Sequence, residues 1–155
     1  MEIQLPEGEE VILDGGNVGY RMKLTLTNKR LVYSKKEGWL KTTWSTAEEI
    51  PLEQIEEAYT HTKKVGLGLS QASSAMLKMK DGKTKELDVN LGDGDTLGMA
   101  FAADVGTDNA IRTKTLCDKW VNAINQQLRV KTESQMENLE IRIRELEEKL
   151  KEKEK

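Results

Sequence analysis

The apolar residues of this chain change their spacing about two-thirds of the way along, and that change limits what it can fold into. In the first ninety or so residues they alternate with polar ones, the period of a half-buried strand. The stretch "LTLTNKRLVYS", Leu24 to Ser34, is the clearest case. Tyr20, Met22, Leu24 and Leu26 fall on one face, the pattern breaks at Asn28-Lys29-Arg30, and Leu31 and Tyr33 then stand opposite Val32. Two strands around a tight turn read this way. Further on, Cys117, Trp120, Val121, Ile124 and Leu128 recur at helical spacing and share one face.

Other strand signals complete the first part. Glu10 to Leu13 is short and apolar, and "DGGNVG" after it reads as a turn. "SKKEGWLKTTW" reads as a loop entering a strand, and proline makes Ile50-Pro51-Leu52 extended. Ile55 to His61 can continue as a strand, although "LEQIEEA" also has helical propensity. Ala75 to Met79 and Lys85 to Val89 flank Asp81-Gly82, a strong hairpin signal. About seven strands followed by one amphipathic helix predict a mainly β fold with α: a small sandwich or barrel that the helix covers. Asp108 is placed to cap that helix.

After Lys131 the composition changes again. Met136, Leu139, Ile143, Leu146 and Leu150 follow alternating steps of three and four, the seam of a coiled coil. Ser134 and Glu137 can form a capping box that starts a separate helix, or the helix can run through from Trp120. With Met136 at position a, Ile143 and Leu150 are also a residues, and Leu139 and Leu146 are d residues. Arg142 and Lys149 at g then face Glu147 and Glu154 at e of a parallel partner. The reading is a domain over residues 1–131 and a coiled-coil helix over 132–155, giving a parallel homodimer.

Composition excludes several function classes. Only 37% of the 155 residues are hydrophobic while 33% are charged, so part of the chain is a solvated element. A net charge of -3 gives no general attraction to nucleic acid or to anionic membranes, and no nucleic-acid partner is expected. One cysteine, Cys117, permits no internal disulfide and fits a reducing compartment. The acidic start "MEIQLPEGEE" is unlike a signal peptide, and no stretch approaches the ~20 apolar residues of a membrane span. The chain is expected to be cytoplasmic, at most peripheral to a membrane.

Positive charge is nevertheless concentrated locally. Arg21, Lys23, Lys29, Arg30, Lys35, Lys36 and Lys41 stand against Glu37 alone between Tyr20 and Lys41, a balance of 7 − 1 = +6. In an antiparallel meander the loops after the first and third strands share an end. That end gathers Arg21, Lys23, Lys35, Lys36 and Lys41 with Trp39, a candidate anion or membrane site. The same set also suits a solvated rim with lysines guarding strand edges. Lys29 and Arg30, in the opposite turn, read as solubility residues.

Signs of catalysis and metal binding are weak. "GLGLSQASS" lacks the Gly-Lys-Ser/Thr ending of a P-loop and reads as a loop that can offer Leu67 and Leu69 to a partner. Asp93 and Asp95 lack the rest of an EF-hand. A single histidine, His61, and a single cysteine cannot make a zinc cluster. A nucleophilic pair of Cys117 and His61 conflicts with the apolar face on which Cys117 lies. No cofactor, metal or catalytic residue is expected.

"TLTNKRLVYS" followed by "EIPLEQIEEA" resembles the GRAM and prokaryotic branches of the pleckstrin-homology superfamily. "DKWVNAINQQL" resembles the closing helix of those domains, whose tryptophan packs into the barrel. The resemblance covers roughly Leu5 to Arg129. Leu91 to Thr107 is longer than it implies, and "DGGNVGY" lacks the basic cluster of inositol-lipid binders. It implies a seven-stranded PH-like barrel closed by one helix, and a non-enzymatic adaptor that binds a protein partner. The alternatives it implies are a targeting domain for anionic lipid and a GLUE-like ubiquitin-binding module.

Overall fold

The structure, a computed structural model, describes residues 5–17, 22–41, 43–65, 70–87, 89 and 106–155. Seven strands occur among them: β1 (Val11–Asn17), β2 (Met22–Thr27), β3 (Arg30–Glu37), β4 (Thr43–Pro51), β5 (Ile55–Val65), β6 (Ser70–Met79) and β7 (Thr84–Leu87). They pair in chain order, antiparallel, as a four-stranded sheet β1-β2-β3-β4 and a three-stranded sheet β5-β6-β7. A 48-residue helix, α1 (Gly106–Lys153), follows. This is the mainly β, two-sheet, one-helix architecture expected of a PH-like fold.

The alternation does its expected work in β2 and β3. Leu26 pairs with Leu31 and Leu24 with Tyr33, so both strands turn the same residues inward. With Ile50, Leu52, Ile55, Ala58, Ala75, Leu77 and Leu87 they form one core, completed by Cys117, Trp120, Val121 and Ile124 of α1. The Asp81-Gly82 hairpin also forms. Gly82 takes a left-handed φ of 86°, which a side chain disfavours, and Lys83 N–H donates to Asp81 Oδ1 at 2.9 Å. Across the two sheets, Lys85 of β7 pairs with Glu48 of β4 and sits 5.8 Å from the Tyr33 ring centroid.

Helix α1 lies on β5 and β6. Strand β5 is an edge, and an unpaired edge is a liability. Asn125 covers part of it: Ala58 N–H donates to Asn125 Oδ1 at 2.9 Å, and Asn125 Nδ2 donates to Ala58 O at 2.8 Å. One side-chain amide thus imitates a neighbouring strand. Thr60 adds a 2.6 Å bond to Asp118. Asn125→Ala should cost about 1–3 kcal/mol, because two part-buried backbone groups lose their partner. Urea titration of the full chain checks this.

Several boundaries differ from the sequence reading. Strand β1 continues through Asp14-Gly15-Gly16-Asn17, where a turn was expected, and a register shift between Asp14 and Asn17 absorbs the glycines as a bulge. Strand β3 runs on to Glu37 because its ladder to β4 continues through Lys36↔Trp44 and Glu37↔Thr43, so the loop is shorter than read. The helix is already formed at Gly106, so Asp108 lies within it and does not start it. No break occurs at Ser134. Thr132 Oγ1 bonds back to Leu128 O at 2.9 Å inside the helix, and α1 runs through. Tyr20, Leu67, Leu69 and positions 91–105 fall outside the described residues.

Candidate functional site

The turn that opened the sequence reading has a structural task. Asn28 N–H donates to Glu10 O, Glu10 N–H donates to Asn28 Oδ1, and Asn28 Nδ2 donates to Gly8 O, tying the segment before β1 to the β2–β3 turn. Arg30 is no solubility residue. Its Nε lies 2.7 Å from Glu9 Oε1 and its Nη1 2.5 Å from Glu49 Oε1, while Thr27 Oγ1 donates to Glu9 at 2.7 Å. The Glu9 side chain is only 2% exposed and that of Arg30 20%. Burial pushes the Glu9 carboxyl up, but the bonds from Arg30 and Thr27 and the charges of Arg30 and Lys29 outweigh it and hold its pKa below the ordinary value. The bond to Glu9, against a smaller desolvation, raises that of Arg30. Arg30 thus ties Glu9, before β1, to Glu49 of β4, and the network binds the fold together.

Cys117 is buried, and its thiol points at Ser73 O, 3.7 Å away. Burial raises its pKa, with the Asp118 carboxylate adding to the rise, which is the opposite of an activated nucleophile. His61 is exposed, on β5 across from Ser74. Among the described residues no group of three or more His, Cys, Asp or Glu side chains could hold a metal ion. Asp93 and Asp95 lie outside them.

The basic residues of the first sheet are placed by its register. Met22 pairs with Lys35, Lys23 with Ser34 and Lys36 with Trp44, so Lys23, Lys35 and Lys36 lie toward the end where the β3–β4 hairpin turns. Lys23 is occupied: its Nζ is 2.7 Å from Asp14 Oδ2. Lys35 and Lys41 are exposed and Lys36 is half-buried, and none of the three forms an ion pair with a described residue. Arg21 falls outside the described residues. Between Lys36 and Lys41, Gly38 takes a φ of 93° and the chain carries Trp39 at 95% exposure and Leu40 at 97%. Leu40 was missed in the sequence, where it had no periodic neighbour to mark it.

The second surface is the far part of α1. Met136, Leu139, Ile143, Leu146 and Leu150 are each more than half exposed. Beyond Lys131, whose Nζ is 3.5 Å from Glu53, α1 makes no contact with the barrel that buries a side chain. Leu146 and Leu150, with the stems of Lys149 and Lys153, line a shallow apolar depression on this stripe. Among the described residues no helix is long and apolar enough to cross a membrane.

Comparison with known proteins adds little to this geometry. No family model matches the chain, and a search among curated proteins finds no match. A crystal structure of a pleckstrin homology domain from Shewanella amazonensis is similar to it, at 23% identity over 62% of this chain and 81% of that one, with a TM-score of 0.34. A likeness of that size carries no functional argument. The architecture stands on the strand order and register of the chain itself.

Proposed function

We propose that the chain is a non-enzymatic binding module, a PH-like domain over residues 1–131 that self-associates through residues 132–155 as a parallel two-stranded coiled coil. The observation that carries this reading is the second apolar stripe of α1. At 100° per residue it is rotated by roughly 70° from the stripe of Cys117, Trp120, Ile124 and Leu128 that faces the barrel, so it does not continue the core. It runs for about 21 Å along a helix that buries nothing there. A second copy of this chain is the occupant that its charges suit. Parallel chains set Arg142 against Glu147 and Lys149 against Glu154, whereas antiparallel chains set like charges together. Isoleucine at a with leucine at d also favours two parallel strands.

Crosslinking tests both the association and its direction. In a parallel pair the d residues of the two chains face each other within reach of a disulfide. Full-length Leu146→Cys should therefore oxidise to a covalent dimer, with native Cys117 buried and inert. Glu145→Cys, on the outer face, should not. Equal crosslinking of the two variants would contradict the proposal. So would a dimer formed only when Met136→Cys and Leu146→Cys proteins are mixed, since that pairing is antiparallel.

A further inference from the structure

We infer that the two copies of the dimer meet a second time, where Arg129 of each helix α1 pairs with Glu57 on strand β5 of the other copy. The inference rests on the parallel dimer proposed above and names where its barrels touch. Its first ground is the direction of the seam. At about 100° per residue, Asn125 lies within about 20° of the mean direction of Met136, Leu139, Ile143, Leu146 and Leu150, and Asp118 within about 40°. These two residues hold β5: Asn125 bonds both ways to the Ala58 backbone, and Asp118 accepts from Thr60. The line along which a second helix packs thus runs back along α1 to β5. Packed helices lie roughly 8–10 Å apart, so the partner's helix arrives beside that strand.

The second ground is what the seam carries at this point. Arg129 and Thr132, seven residues before Met136 and Leu139, hold the a and d positions of the preceding heptad. The apolar stripe ends where the barrel begins. Arg129 is exposed and forms no ion pair with a described residue. At an a position its two copies would face each other as like charges. Rotation decides where they turn instead. Arg129 lies about 60° from the mean direction of the seam, on the side away from the stripe of Cys117, Trp120, Ile124 and Leu128. A two-fold axis places the two barrels on opposite sides of the helix pair. The side of the seam turned away from a chain's own barrel is the side of its partner's.

The third ground is charge. Glu53, just before β5, lies 3.5 Å from Lys131, and Glu56 is paired with Lys78 at 3.0 Å. Glu57 is exposed and forms no ion pair with a described residue. Its neighbour Ala58 is buried, so the alternation of the strand turns Glu57 outward. Arg129 is one helical turn, about 6 Å, beyond Asn125, which marks the level of Ala58. An unpaired guanidinium and an unpaired carboxylate stand at nearly the same level of the dimer, each turned toward the other copy. Symmetry makes the contact twice.

Sedimentation equilibrium of full-length variants tests the inference. Arg129→Glu sets acid against acid at both contacts, and Glu57→Arg sets base against base. Each should weaken the dimer by about tenfold. An equal mixture of the two variants should recover the wild-type affinity, because both contacts of the mixed pair again join opposite charges. A contact within one chain would give no such recovery. Lys41→Glu, the same charge change at the tip of the β3–β4 hairpin, should dimerise as the wild type does. All three side chains are exposed, so the urea midpoints should match the wild type. Single variants that dimerise as the wild type does, or a mixture no tighter than its components, would overturn the inference. If Leu146→Cys still oxidises to a covalent dimer in that event, the coil stands and this contact alone is removed. A wild type that stays monomeric would overturn both.

Discussion

Trp120→Ala should lower the unfolding free energy by about 3–5 kcal/mol, the cost of emptying a large aromatic site in a core. Trp120 is 2% exposed and belongs to the cluster that joins both sheets to α1. Its neighbours along the helix, Cys117, Val121 and Ile124, are anchored by the same contacts, so the surroundings cannot collapse to fill the space without shifting the helix on β5 and β6. Urea melts of wild type and variant measure the difference. A change below about 1 kcal/mol, an ordinary surface effect, would mean that the helix does not close the barrel.

Arg30→Ala should cost about 3 kcal/mol, because it strands the Glu9 carboxylate in a site with almost no access to water. The same network predicts a pH dependence. The Glu9 pKa is depressed by folding, so its contribution is fully present above the unfolded value of about 4.3 and is lost as pH falls through the lower folded value. That of Arg30 is raised by folding, and its contribution is unchanged throughout the acid range. Glu9→Gln should therefore be less stable than the wild type near neutrality. Its stability should also fall less steeply with acid below about pH 4.3. Parallel acid slopes for the two proteins would mean that Glu9 is not held as a buried anion.

What could be read from the sequence depended on how local its cause was. The inward residues of β2 and β3 follow from alternation, and the buried face of α1 follows from a repeat of three and four, so both were legible. The Asp81-Gly82 turn was legible for a similar reason, since the left-handed residue it needs is a glycine in place. The second half of β3 was not. Ser34 to Glu37 is polar, and it is a strand because β4, and β2 as far as Lys35, pair with it through backbone groups that composition does not reveal. Gly15 and Gly16 likewise read as a turn, because a bulge and a turn use the same residue.

Among the candidate site residues, distance along the chain set the limit. That Arg30 finds Glu9, 21 positions away, depends on where the segment before β1 crosses the β2–β3 turn, and no spacing rule encodes that crossing. Lys23 belonged to the basic end in the sequence reading, but Asp14 comes to it through the bulged register of β1. Trp39 was legible as an aromatic in a polar loop. The exposure of Leu40 beside it was not, because a loop has no period against which to judge an apolar residue. The apolar spacing from Met136 to Leu150 could be read because it lies within one helix, and the structure leaves those side chains exposed.

Light scattering on the full chain at increasing concentration tests the central claim most directly. A binding module joined through its C-terminal helix predicts a mass approaching twice 17.5 kDa, falling to 17.5 kDa in Leu139→Glu with Leu146→Glu while the urea midpoint of the barrel holds. A wild type that remains at 17.5 kDa at the highest concentration reached would contradict it, as would a dimer that survives the two seam substitutions.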